Sequence, residues 1–245
     1  MFRIRSINIK NLSFTYPGMT TAAIIDISLD WKAGEVVGLV GLSASGKSTL
    51  GRLLKGLIKP EAGRIEFLNL KSESRFADQK DCLRRIGWVG AHPEIQIFAS
   101  TVQEEVGFGP ANIGVKGKEL DERIASALSK VGLEPEKYLT RFPLMLSGGE
   151  KRRVAIASII SMDYKFYIFD EPTAGLDPKG CAQFKSLVRQ LASDGCGILW
   201  ITHNLKLLKD SIDRLLVLDG GKIVSDSKRT DINWEELRSC LIAGK

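Results

Sequence analysis

Two histidines and four cysteines are all that the 245-residue chain offers toward a soft-metal site. Cys82, Cys181, Cys196 and Cys240 form no C-x-x-C pair, so they build no zinc set with His92 and His203. Reduced thiols in a cytoplasmic compartment are expected instead. No apolar run approaches the ~20 residues that span a bilayer, so any work at a membrane needs another chain to cross it. Residues 1–10 alternate apolar and polar side chains as a strand does, which distinguishes them from a signal peptide. Internal repeats and low-complexity tracts are absent as well, which excludes a repeat array.

What is present is apolar enough to build a core. Hydrophobic residues make up 44% and charged residues 26%, which fits one globular domain or a domain carrying an inserted lobe. A formal charge of +6 suits acidic partners such as nucleotides, nucleic acid or an anionic membrane face, and equally a merely soluble basic surface.

Along the chain, short strands are expected over 7–14, 24–31 and 36–40, and a helix over 48–57 where Leu50, Leu53, Leu54 and Leu57 share a face. Strands at 64–67 and 86–89 flank a polar stretch, 71–81. From about 92 to 150 the reading changes to an inserted, mostly helical lobe, with helices over 101–106 and 119–131. A helix from Gly148 to about Ser161, strands over 166–169, 197–201 and 214–218, and a helix over 179–192 follow. This alternation predicts an α/β parallel sheet. A short helical tail, 231–245, is expected to start from Asp231 as N-cap, with Ile232, Trp234, Leu237 and Leu241 on one face.

Gly41-Leu42-Ser43-Ala44-Ser45-Gly46-Lys47-Ser48 matches G-x-x-x-x-G-K-[ST] after a strand and at a helix start, as that motif requires. Its glycines let backbone N–H groups turn toward phosphate oxygens, and the helix adds its positive end. Lys47 supplies a charge for the β and γ phosphates, and Ser48, followed by Thr49, offers a hydroxyl to Mg2+. The apolar run Phe166-Tyr167-Ile168-Phe169 ends in Asp170-Glu171, suited to the Mg2+ shell and to a general base that takes a proton from water. Ligands of open parallel sheets sit beyond the carboxyl ends of strands, and Thr202-His203 stands at a third such end. By itself His203 would more often be a satisfied polar residue; the convergence of the three strand ends raises it above that. Ser147 with Glu150 forms a capping box, and Gly148 and Gly149 between them also make a site for a γ-phosphate.

Taken together these motifs resemble the nucleotide-binding subunits of ATP-binding cassette (ABC) transporters along nearly the whole chain. Gly41 to Ser48 is similar to their Walker A, 166–171 to Walker B with its catalytic glutamate, and Leu146-Ser147-Gly148-Gly149-Glu150 to their signature. Ala174-Gly175-Leu176-Asp177 resembles the D-loop, His203 the switch histidine, and Tyr16 the aromatic that stacks on adenine. The fold this implies is α/β, a P-loop NTPase (RecA-like) parallel sheet core with an N-terminal antiparallel β region and an inserted helical subdomain, the ATPase domain spanning 1–230. The resemblance further implies ATP and Mg2+ as cofactors and a dimer in which Ser147, Gly148, Gly149, Glu150 and Asp177 serve the nucleotide of the partner.

Energy-coupling factor and cobalt or nickel importers carry stretches like His92-Pro93-Glu94-Ile95-Gln96-Ile97-Phe98 and 101–110, and are similar again at 170–180. That resemblance implies an ATPase energising uptake of a vitamin or metal ion, peripheral on the inner face of the cell membrane. Its partners would be a second ABC ATPase subunit, a transmembrane coupling subunit and a substrate-binding membrane component, with no nucleic acid. Alternative readings are a soluble cassette acting on nucleic acid or the ribosome, and a weakly hydrolysing regulatory subunit. One departure stands out: Ala91 occupies the position where the family has a glutamine that reaches Mg2+ and water. Either His92 or a water substitutes, or this is the weaker site of a pair, or the residue was changed.

Overall fold

The structure, a computed structural model of the chain, describes residues 4–69, 75–76, 80 and 84–243; of the polar stretch 71–81, residues 75, 76 and 80 are among them. In chain order the first elements are β1 (Ile4–Phe14), β2 (Ile24–Lys32), β3 (Val36–Val40), α1 (Lys47–Lys55), β4 (Ala62–Asn69), β5 (Arg75–Phe76) and β6 (Ile86–Val89). Helices α2 (Val102–Asn112), α3 (Gly117–Lys130), α4 (Pro135–Tyr138) and α5 (Gly148–Ile160) follow. The chain then alternates β7 (Phe166–Asp170), α6 (Pro178–Ser193), β8 (Gly197–Ile201), α7 (Leu205–Leu208), β9 (Arg214–Asp219), β10 (Lys222–Lys228) and α8 (Trp234–Ala243).

Two sheets result. An antiparallel one has the order β2-β1-β4-β5; a six-stranded one has the order β10-β9-β3-β8-β7-β6, parallel except for β10 at its edge. Strands β3, β7 and β8 are buried at every residue, as central strands covered on both faces must be. Side chains alternate between two cores. Val37, Leu39, Ile168, Leu199 and Ile201 face α1 and the antiparallel sheet, with Ile7, Ile9 and Trp31. Val36, Val40, Tyr167, Phe169, Ile198 and Trp200 face the helical layer. The register sets the site: Leu39 of β3 and Asp170 of β7 both lie opposite Ile201 of β8, so the three carboxyl ends are level.

The helix expected over 101–106 runs on to Asn112. Thr101 caps it as a capping box with Glu104, and the following glycines, which read as turn residues, are packing contacts. A Cβ on Gly107 would stand 2.8 Å from Ile124 Cδ1, and one on Gly109 2.5 Å from Met162 Sδ. Strand β10 was not expected; Gly220 and Gly221, both at positive φ, turn the chain back from β9 into it.

The tail also departs from expectation. Asp231 ends a short 3-10 turn, and Asn233 caps the helix by accepting from Glu236 N at 3.3 Å. Ile232, Trp234 and Leu237 pack against the helical-side core; the side chain of Leu241 lies outside the described residues.

Candidate functional site

Strand β3 ends at Val40, and the chain turns through Gly41–Gly46 into α1. A Cβ on Gly41 would come within 2.1 Å of Leu218 O, and one on Gly46 within 2.4 Å of Ala23 O. Glycine is therefore required by close backbone approach at both ends of the loop. Ala44 takes φ 62, a conformation that costs a non-glycine residue roughly 1–2 kcal/mol. Lys47 folds back inside the turn: Nζ donates to Gly41 O at 3.0 Å, Leu42 O at 2.6 Å and Ser45 Oγ at 3.3 Å. Burial lowers its pKa, against which the charges of Glu171 and Asp170 raise it.

The next two strand ends carry the carboxylates and their partners. Asp170 is 3% exposed; burial raises its pKa, and the Ser48 hydroxyl that hydrogen-bonds it works in the opposite direction. Glu171 adopts φ 50, a strained conformation of the kind that gathers at active sites. Its N–H donates to Ile201 O at 2.9 Å. Its Oε2 accepts from Thr202 Oγ1 at 3.0 Å, and its Oε1 from His203 N at 2.9 Å. The His203 ring lies against the same oxygen, Nδ1 at 2.8 Å, with its side chain 78% exposed. Walker-like loop, Asp170, Glu171 and His203 are thus one continuous constellation across β3, β8 and β7.

Cavities flank the loop on both sides. One of about 400 Å3 is lined by Tyr16, Met19, Ala44 and Gly46 to Thr49; there the Tyr16 hydroxyl meets Thr49 Oγ1 at 3.2 Å and accepts from Arg52 at 3.3 Å. The other, about 580 Å3, lies among Gly41, Leu42, Ser43, His203 and Asn204, with Arg238 of α8 at its edge. The tail helix thus reaches the site as well as the core, which periodicity does not reveal.

The residue most clearly missed from sequence is Arg152. It is 5% exposed and donates to Glu171 O at 2.9 Å and Ala91 O at 2.9 Å while pairing with Glu94 at 3.3 Å. A signal existed: Arg152 stands four residues before Ile156 and eight before Ile160, on the buried stripe of α5. His92 pairs with Glu94 at 3.5 Å, and among the described residues no hydrogen bond joins its ring to Asp170 or Glu171.

The model of the ABC transporter family matches residues 24–174. Similar proteins include the energy-coupling factor transporter ATP-binding protein EcfA2 of Clostridium tetani, 36% identical over 93% of this chain and 80% of that one. The cobalt import ATP-binding protein CbiO of Syntrophus aciditrophicus is 40% identical over 91% and 78%. Among solved structures, cbiO1 of Clostridium perfringens, part of the ABC transporter complex cbiONQ, superposes with TM-score 0.81 at 29% identity, covering 98% of this chain and 93% of that one. The dimeric cassette MJ0796 bound to ADP and Pi superposes with TM-score 0.78 at 27% identity, covering 91% and 98%.

The chain belongs to the ABC transporter family. It is an ATP-binding cassette ATPase with the P-loop fold expected for one, and no described helix is long and apolar enough to cross a membrane. Within the cassette, the segment Ser147–Glu150 makes no described hydrogen bond to the Gly41–Ser48 loop. The Ser147 hydroxyl donates to Glu150 Oε2 at 2.6 Å, and Tyr138 donates to Glu150 Oε1 at 2.6 Å. A Cβ on Gly148 would meet nothing within 4 Å, so packing inside this chain does not require glycine there. Asp177 caps α6, accepting from Gly180 N at 2.7 Å.

The hydrogen bonds from Ser147 and Tyr138 hold Glu150 at a pKa of about 2, down from 4.5. A carboxyl depressed on folding stabilises the native state above its unfolded pKa and loses that contribution as pH falls through the folded one. In urea unfolding, the stability advantage of the wild type over Glu150→Ala is expected to be about 1 kcal/mol after solvent screening. It should shrink as pH drops from 4.5 toward about 2. An advantage that stays constant over that window contradicts the assignment.

Proposed function

We propose that this cassette is the ATP-hydrolysing subunit of a multi-subunit importer of the energy-coupling factor or cobalt type, peripheral on the cytoplasmic face of the membrane. The observation that carries the reading is similarity over more than nine-tenths of the chain to proteins named for energy coupling and for cobalt import. These relatives favour import over the nucleic-acid and sensor readings.

In the proposed mechanism Lys47 and the loop amides bind the phosphates of ATP, and Tyr16 stacks on adenine. Glu171 takes the proton of the attacking water. Thr202 and His203 fix both of its oxygens, leaving the exposed imidazole edge of His203 for the γ-phosphate. Asp170 and Ser48 fit Mg2+: a buried carboxylate joined to a hydroxyl is a hard oxygen pair, and this ion takes one or two protein ligands beside phosphate and water. When bound it neutralises charge on the phosphates. Ser147, Gly148, Gly149, Glu150 and Asp177 complete the partner subunit's nucleotide site; the open flank of Gly148 supports such an approach from outside the chain.

Co-expression with candidate membrane subunits tests the reading. The expected result is a stable complex whose Mg-ATP turnover exceeds that of the cassette alone; turnover indifferent to every membrane subunit overturns it. Within the complex, Ala91→Gln is expected to raise saturated turnover about five- to tenfold, the worth of one ordinary hydrogen bond of about 1 kcal/mol. An unchanged rate would show that the methyl group at position 91 does not limit hydrolysis.

A further inference from the structure

Arg152 carries a charge into the interior, its side chain 7% exposed. A buried guanidinium is tolerated only where its donors are satisfied, and here they meet three acceptors from two separate parts of the chain. One is the carbonyl of Glu171, at the carboxyl end of β7; another is the carbonyl of Ala91, after β6; the third is the carboxylate of Glu94 in the turn Pro93–Gln96. Arg152 belongs to α5, whose first turn is the signature. It lies five positions beyond Ser147, about 7.5 Å along the helix axis.

We propose that Arg152 is a positioning residue that transmits displacement of the signature helix to the catalytic glutamate and to the Ala91–Glu94 corner together. The peptide of Glu171 is held from two sides, its N–H by Ile201 O and its carbonyl by Arg152. With φ at 50, that residue depends on such anchors to keep its conformation. A rigid shift of α5 therefore moves the backbone that aims the base. The same guanidinium moves the Ala91 carbonyl, and Ile95, 79% exposed, and Phe98, 63% exposed, follow directly on the outer surface. Ala91 has no side chain able to carry a signal between the nucleotide and that surface. Its main-chain carbonyl is held all the same, and a planar fork reaches carbonyl and carboxylate acceptors together where an ammonium does not.

The inference rests on Glu171 as the base and on a membrane partner that stimulates turnover. Its test uses the full complex in proteoliposomes and reads two quantities: the KM for ATP, and the ratio of turnover with the membrane partner to turnover of the cassette alone. In Arg152→Lys the KM is expected to stay within about twofold while the ratio falls about tenfold, the scale of a lost charge-assisted hydrogen bond. A purely structural role lowers both turnovers in proportion and leaves the ratio unchanged; that result, in a variant that keeps its thermal midpoint, overturns the proposal. Should the lysine variant fail to fold, Glu94→Gln serves. It keeps both carbonyl contacts and weakens the ties of Glu94 to Arg152 and, within the outer corner, to His92, and a ratio within about twofold of wild type overturns the proposal equally. Glu171→Gln is the control: persistent turnover there refutes the assignment of the base, whatever Arg152 does.

Discussion

Replacing Glu171 by glutamine is expected to leave ATP bound and to stop its turnover. Both oxygens of Glu171 accept hydrogen bonds, from Thr202 on one side and from His203 on the other. An amide of the same shape keeps one acceptor and turns its NH2 toward a donor, so the local geometry is only slightly loosened while the basic oxygen is lost. General-base catalysis is worth about 10²–10⁴ in rate. Phosphate release at saturating Mg-ATP should therefore fall at least about a hundredfold. Nucleotide affinity should hold or improve, because a negative charge beside the phosphates has been removed. A variant that turns over within about tenfold of wild type would relieve Glu171 of the role.

The second large effect is on binding. Lys47→Ala deletes the ammonium that phosphate would meet and also the brace of the loop, since the same Nζ holds Gly41 O, Leu42 O and Ser45 Oγ. Hydrogen bonds to charged groups contribute about 1.5–3 kcal/mol each. Equilibrium titration with ATP should show affinity reduced about a hundredfold. Lys47→Arg is not expected to restore it, because a planar guanidinium cannot take the place of a compact ammonium inside so tight a turn. Affinity within about threefold of wild type in the alanine variant would place the phosphates elsewhere.

How much of the fold and the site is legible in sequence varies with the range of the contacts involved. The loop from Gly41 to Ser48 is readable because its requirements are local: a strand, glycines where backbones approach, a helix start. The strand ending in Asp170-Glu171 is readable because an apolar run that stops at two carboxylates marks a buried strand with a polar end. The end of α2 was misplaced because Gly107 and Gly109 look like a turn in sequence, whereas they admit Ile124 and Met162 in space. The N-cap of the tail is Asn233 and not Asp231 because Asp231 is taken up as the last residue of a 3-10 turn, and either residue type caps equally well.

By itself, then, the sequence determined the α/β class, the glycine-rich loop 41–48 between strand and helix, the carboxylate pair at a strand end and the capped helix start at Ser147. Each depends on residue types within a few positions of one another and on the two periodicities of strand and helix. The tertiary structure alone decided that β3, β8 and β7 are neighbours with level ends, which brings Lys47, Glu171 and His203 to one place. It also decided that Arg152 turns inward to hold Glu171 and Ala91, contacts spanning 19 and 61 residues. Such contacts follow from how the layers pack, and a buried arginine carries the same letter in the sequence as one in water.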